Sequence, residues 1–221
     1  SIGTKELVTK SSKLKFPILL RPSYVLGGRM MEKMANIDDV QDYIDQNYWA
    51  LENNVILIDE FLQNAKEVDV DVLRDNQGNT MVAGIMEHIE EAGIHSGDSA
   101  CSIPPFSLNN NIISDIKKFS ISLVNELKIL GLMNIQYAIK DDEIFILEAN
   151  PRASRTIPFL AKAIGIPFIK IAAELIVGKT LTEEYQNFDN NSLPYFAIKE
   201  AVFPFNKFPN TDVILGPEMK S

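Results

Sequence analysis

The chain has 221 residues, 46% of them hydrophobic and 23% charged, with a formal net charge of -9. That is enough apolar material for one large domain or two smaller ones, and an acidic chain without a long basic run suits neither nucleic acid nor an anionic membrane surface. No apolar stretch approaches a membrane span, "SIGTKELVTKSSKLKF" lacks a signal-peptide core, and the single Cys101 excludes an internal disulfide. A mixed α/β protein of a reducing cytoplasm is expected.

In chain order, "FPILLRPSYVLGGRMME" predicts a short apolar strand that breaks at a proline and then at the pair Gly27–Gly28. In "NIDDVQDYIDQNYWAL", Val40, Tyr43, Ile44 and Tyr48 share a helical face, with Asn36 or Asp38 as cap. "VILIDEFL" reads as a buried strand. "KEVDVDVLRD" alternates, with Val68, Val70 and Val72 on one face and Glu67, Asp69 and Asp71 on the other. The turn "DNQGN" then leads into a partner strand, "TMVAGIMEHI".

"NNIISDIKKFSISLVNELKILG" predicts a helix with Ile112, Ile116, Phe119, Leu123, Leu127 and Leu130 on its apolar face and Gly131 as C-terminal cap. A second hairpin, "NIQYAIKDDEIFILEAN", turns at Asp141–Asp142. "PFIKIAAELIVGK" predicts another amphipathic helix ending at Gly178, and the tail "NNSLPYFAIKEAVFPFNKFPN" is expected to pack over the main body. Mostly antiparallel hairpins with helices indicate an α+β fold. Neither GxGxxG nor GxxxxGK[ST] is present.

Three stretches carry chemistry. If the second hairpin turns through a loop of Asp141 to Glu143, Gln136 faces Glu148, and opposed side chains lie about 5 Å apart at Cβ. Asn150, two residues on, returns to the same face. A carboxylate and two amide oxygens suit Mg²⁺, which shares its shell with waters and phosphates. Arg152 and Arg155 follow at once, and their planar forks suit phosphate. A two-residue loop would instead put Gln136 opposite Leu147. The same charges also fit a solvated ion-pair cluster at a strand end.

In "RPSYVLGGR", Arg21 and Arg29 bracket the glycine pair, which suits either a flap over phosphates or a plain turn. "EHIEEAGIHSGDSACS" holds both histidines, His88 and His95, but its spacing matches no zinc pattern. A glycine-flanked loop offering His95, Ser96 and Asp98 is the better fit. Cys101 reads as a small buried residue, since nothing near it marks an activated thiol.

On "RPSYVLGGR", "EVDVD", "GIMEHIEEAGIHSGDSACS", "LMNIQYAIK" and "LEANPRASRTIPF", in that order, the chain resembles the ATP-grasp ligases, and within them the carbamoyl-phosphate synthetase large subunits. The resemblance runs from about Lys13 to the C-terminus. "RMME" after the glycine pair and the ending "VFPFNKFPNTDVILGPEMKS" are similar to the C-terminal, carbamate-phosphorylating half of that family.

The resemblance implies ATP and Mg²⁺ or Mn²⁺ as cofactors. Arg21 would contact ATP phosphates beneath Gly27 and Gly28. Glu60 and Leu62 would line the adenine hinge, Glu67 would hold the ribose, and Gly93, Ile94, His95 and Ser96 would form the nucleotide-side loop. Gln136, Glu148 and Asn150 would hold the metal, and Arg152 and Arg155 would orient phosphate and carbamate oxygens.

It further implies an ATP-grasp fold with an incomplete lid, the chain being a piece of a larger subunit. Residues 1–62 would form the partial lid, 63–180 a larger antiparallel-sheet core with the metal and phosphate site, and 181–221 a segment packed on that core. Missing on this expectation are the start of the lid, the preceding nucleotide-fold domain, the other synthetase half, the allosteric domain and the glutaminase small subunit. The family's chemistry serves arginine and pyrimidine biosynthesis. Two alternatives are a biotin carboxylase relative and a nucleotide-binding module without turnover; the isolated piece is expected to be inactive.

Overall fold

A computed structural model describes residues 4–23, 30–51, 55–189, 193–208 and 210–216. The described parts of 1–63, 93–98 and 203–221 form one unit, and those of 64–92 and 99–202 a second.

The second unit is built on a six-stranded antiparallel sheet. Its strands are β4 (Lys66–Arg74), β5 (Thr80–Glu91), β6 (Cys101–Ile103), β7 (Gly131–Lys140), β8 (Glu143–Asn150) and β9 (Ala197–Lys199), in the order β8-β7-β4-β5-β6-β9. The valines of β4 behave as their alternation predicts. Val68, Val70 and Val72 are fully buried and pack with Ile135 and Tyr137 of β7 against Ile112, Ile116 and Val124 of helix α3 (Asn110–Glu126). Each such aliphatic side chain contributes roughly 1.5–3 kcal/mol on burial. The opposite face is covered by α4 (Ile157–Ile164) and α5 (Phe168–Ile176), whose Ile157, Leu160, Phe168 and Leu175 pack with Leu73, Met81, Ala83 and Met86. A four-residue helix, Glu183–Gln186, follows.

The first unit pairs β1 (Ile18–Pro22) with β2 (Glu32–Met34) and β3 (Ile56–Glu60), all antiparallel. Ile18, Leu20, Met34 and Ile56 of this sheet share a core with Leu7 of α1 (Thr4–Ser11) and Val40, Tyr43 and Ile44 of α2 (Ile37–Leu51). Asn36 caps α2: its Oδ1 accepts from the backbone N–H of Asp38 and Asp39 at 2.8 and 3.1 Å. Tyr48 lies outside this core, 43% exposed.

Two expectations for α3 are corrected. Its buried stripe is Ile112, Ile113, Ile116, Ser120 and Val124, whereas Phe119, Leu127 and Leu130 are exposed. Ser120 can face inward because its hydroxyl meets the Tyr137 hydroxyl at 2.8 Å, so the buried stripe includes a satisfied polar position that an all-apolar pattern does not show. Gly131 is no cap. The left-handed residue after the helix is Lys128 (φ 51°), and Gly131 (φ 92°) opens β7, where a Cβ would press on Ile176 at 3.2 Å. By contrast, α5 does end at Gly178, with φ 98°.

Candidate active site

The hairpin of β7 and β8 reaches the expected pairing by an unexpected route. Asp141 (φ 51°) and Asp142 (φ 63°) form a two-residue turn, so Lys140 pairs with Glu143 and Tyr137 with Ile146. A regular ladder would then set Gln136 opposite Leu147. A β-bulge between Tyr137 and Gln136 adds one residue to β8, and Gln136 faces Glu148, with Asn134 facing Asn150. The turn falls at Asp141–Asp142 as expected and the alternative loop of Asp141 to Glu143 is not formed, yet Gln136 still faces Glu148, through the bulge.

Gln136, Glu148 and Asn150 consequently share one face at the sheet edge, Glu148 exposed and the two amides half-buried. Beyond them the chain turns sharply, Arg152 N donating to Asn150 O at 2.8 Å, and both Arg152 and Arg155 are exposed. Among the described residues no three His, Cys, Asp or Glu side chains come together as a metal cluster. The hairpin's donors fit Mg²⁺ in another way: one carboxylate and two neutral oxygens leave half of an octahedral shell for water and phosphate.

The same face continues into the sheet as a buried polar network. Glu67, Asp69 and Asp71 of β4, all on the acidic side of the alternation, are 4%, 1% and 0% exposed. His88 Nε2 meets Asp69 Oδ2 at 2.8 Å, and its Nδ1, without a hydrogen bond, lies 3.9 Å from Glu67 Oε1. Burial alone would lower the His88 pKa, but the hydrogen bond and charge of Asp69 and the charge of Glu67 outweigh it and raise it. Asn134 Nδ2 donates to both Asp69 Oδ1 (3.3 Å) and Asp71 Oδ1 (3.2 Å).

Asp71 Oδ2 then accepts from Ser154 Oγ at 2.8 Å and Thr156 Oγ1 at 3.1 Å, and the two hydroxyls meet at 2.7 Å. Burial, then the charge of Asp69, pushes the Asp71 carboxyl up to about 7, against hydrogen bonds from Ser154, Asn134 and Thr156 that pull it down. The alternation in the sequence gives the acidic face but marks out neither Asp71 nor its partners Asn134, Ser154 and Thr156. The available signal was the alternation itself, since three acids on one face of a central strand are tolerable only when hydrogen-bonded.

At the far end of this face, Cys101 pairs in register with His88 and with Lys199, whose Nζ donates to Ser99 O at 2.7 Å. Burial raises the Cys101 thiol to about 11, as befits the inert residue expected from sequence.

Other expected nucleotide contacts belong to the first unit. Arg21 Nε donates to Asp59 Oδ2 at 2.7 Å in a half-exposed ion pair. Glu60 ends β3, exposed, and Leu62 is half-buried just beyond it. In the loop that follows β5, Gly93 takes φ 105° against the Phe61 ring, Ile94 and Ser96 are half-buried, and His95 Nδ1 accepts from Gly97 N at 3.0 Å. The structure thus places Arg21, Glu60, Leu62 and Gly93 to Ser96 in one unit, and Glu67, Gln136, Glu148, Asn150, Arg152 and Arg155 in the other. Gly27 and Gly28 lie outside the described residues.

Solved structures share this architecture. A biotin carboxylase in complex with β,γ-ATP from Campylobacter jejuni superposes with a TM-score of 0.69 at 16% identity, over 83% of this chain and 42% of that one. The biotin carboxylase domain of a Hydrogenobacter thermophilus 2-oxoglutarate carboxylase, solved with MgADP and bicarbonate, gives 0.68 at 16% identity, over 88% and 43%. The fold is that of the ATP-grasp enzymes.

Sequence narrows the class. Residues 3–184 match the family model "Carbamoyl-phosphate synthase L chain, ATP binding domain", and the chain belongs to that family. It is 50% identical over 211 residues to the carbamoyl phosphate synthase large chain of Synechocystis sp., covering 96% of this chain and 19% of the relative. The large chain of Archaeoglobus fulgidus is 52% identical over 209 residues, covering 95% and 19%. The chain therefore spans about a fifth of these relatives' length.

Proposed function

We propose that this chain is the ATP- and Mg²⁺-binding part of the carbamate-phosphorylating half of a carbamoyl phosphate synthase large chain. The observation that carries the proposal is the shared face of Gln136, Glu148 and Asn150, followed within one turn of chain by Arg152 and Arg155. Mg²⁺ held there would neutralise charge on the nucleotide phosphates. Arg152 and Arg155 would orient phosphate and carbamate oxygens for in-line transfer, with Arg21 holding ATP phosphates and Gly27 and Gly28 covering them. Glu60 and Leu62 would receive the adenine, Glu67 the ribose, and Gly93, Ile94, His95 and Ser96 the nucleotide's other side. No residue of the chain needs to act as a covalent nucleophile.

The products would be carbamoyl phosphate and ADP, feeding arginine and pyrimidine synthesis in the cytoplasm. The remainder of the large chain and a glutaminase subunit would be the partners, and this piece alone would bind nucleotide without turning it over. Residues 1–62 would act as part of the lid, 63–180 as the core and 181–221 as its cover. Among the described residues no helix is long and apolar enough to cross a membrane.

Calorimetric titration with a non-hydrolysable ATP analogue, with and without Mg²⁺, tests the binding reading, with Glu148→Gln as control. Magnesium-dependent binding weakened at least tenfold in the variant is expected, and binding indifferent to both would refute it. In the intact enzyme, Glu148→Gln should abolish carbamoyl phosphate formation; ATP cleavage driven by biotin and bicarbonate would point to the other ligase class.

A further inference from the structure

The loop that carries both candidate anion-binding arginines, residues 151–156, has its far end fixed from beneath. Ser154 and Thr156 alternate with the exposed Arg155, and both hydroxyls turn inward to the same oxygen of Asp71, at 2.8 and 3.1 Å. Ser154 Oγ also accepts from the N–H of Ile157, the first residue of α4, at 3.1 Å. Asp71 is itself held in place on the central strand β4, fully buried, with Asn134 of β7 donating to its other oxygen at 3.2 Å.

We infer that Asp71 is a positioning residue, a buried tether that fixes the Ser154–Arg155–Thr156 segment and so aims the Arg155 guanidinium out of the sheet face. Fully buried, it would act through the loop it holds rather than on a ligand. A side chain flanked on both sides by inward-bonded neighbours keeps its backbone direction, which is what a group orienting a transferring phosphoryl needs. The inference rests on the carbamate reading above for its consequence in turnover, and on the hydrogen bonds alone for the tether.

Two measurements test it. The first is hydrogen exchange in this chain, read over residues 150–158, for Asp71→Ala, Thr156→Val and Asp71→Asn. Asparagine has the same shape and can donate from its amide to both hydroxyl oxygens while its carbonyl accepts from Asn134, so it should restore the tether with the bond directions reversed. Protection in 150–158 should fall at least tenfold in Asp71→Ala and measurably in Thr156→Val, remain within threefold of wild type in Asp71→Asn, and stay unchanged across β7 and β8.

The second measurement is steady-state carbamoyl phosphate formation by the intact enzyme. Asp71→Ala should lower kcat at least twentyfold, with the KM for ATP within threefold, and Asp71→Asn should recover most of it. Unaltered exchange in both Asp71→Ala and Thr156→Val overturns the tether, and a wild-type kcat in Asp71→Ala overturns the positioning role. If the wild-type enzyme makes no carbamoyl phosphate, the carbamate reading falls, and the exchange measurement still decides the tether by itself.

Discussion

Gln136 faces Glu148 across the β7–β8 hairpin only because β8 carries one more residue than its turn requires. The two-residue turn and the bulge offset each other, so the carboxylate at the sheet edge meets an amide rather than Leu147. Both side chains then stand on one face of the hairpin, close enough for a shared ligand to couple them.

Neighbours of this kind should not act additively. Glu148→Gln removes the charge that attracts a divalent ion, and Gln136→Ala removes a neutral oxygen. Calorimetry on the four members of the cycle should show a loss of at least tenfold in Mg²⁺-dependent nucleotide affinity for the first and a smaller one for the second. The double variant should lose clearly less than the product of the two. Strict multiplication of the losses would separate the residues into different sites.

The hairpin turn offers a stability test remote from any ligand. Asp141 and Asp142 both have positive φ, at 51° and 63°, a conformation that Asn-Gly adopts with less strain. Replacing the pair by Asn-Gly should stabilise the chain by about 0.5–1 kcal/mol despite loss of the 3.3 Å contact from Asn109 to Asp142. Thermal unfolding should shift upward by roughly 1–4 °C. A downward shift would show that the aspartates' own contacts outweigh backbone strain.

Gly84 stands opposite Asp71 in the β4–β5 ladder, and its missing side chain makes room for α4. A Cβ there would lie 2.5 Å from Leu160 Cδ2 and 3.1 Å from Ile103 Cδ1, both in buried side chains. Gly84→Ala is expected to cost about 1–3 kcal/mol in chemical denaturation. Combined with Leu160→Ala, the added methyl should occupy part of the space vacated, so the pair should cost less than the sum of the two.

Stability should fall as pH rises through the weakly acidic range. Asp71, raised from the ordinary 3.8 to about 7, keeps its proton in the folded state where the unfolded chain has released it. Its contribution is therefore complete below about pH 4 and is progressively lost up to about pH 7, by as much as about 1.4 kcal/mol per pH unit. His88, also raised, adds stability below its ordinary 6.5 that disappears as pH climbs through its folded value. Asp75 acts in the opposite sense and at lower pH. Burial would raise it, but hydrogen bonds from Asn79, Leu181 and Gln77 hold it low, so its contribution is lost in acid. Asp71→Asn should gain on wild type between pH 4.5 and 7 in urea denaturation; a constant difference would place the Asp71 pKa elsewhere.

The turn at Asp141–Asp142, the alternation in β4 and the Glu148-to-Arg155 stretch were all readable because each depends on residues adjacent in sequence. What escaped was set by partners far along the chain. The bulge in β8 leaves no mark in a period-two pattern. The inward Ser120 is explained by Tyr137, and the three-residue strands β6 and β9 are too short to show periodicity and exist by pairing with β5 and with each other. Asp71 looked like one half of an alternation, and only the structure shows what its carboxylate holds.

The distances along the chain also set an order of assembly. Gln136 and Glu148 belong to one hairpin closed by a two-residue turn, a class of local contact that closes in about 1–10 μs. Asp71 is separated from Ser154 and Thr156 by 83 and 85 positions, so that contact waits until β4 has paired with β7 and the loop closure has been met entropically. A chain emerging in synthesis would bring Gln136 and Glu148 together before the loop of Arg152 and Arg155 is fixed, since that loop waits on the long-range pairing of the sheet.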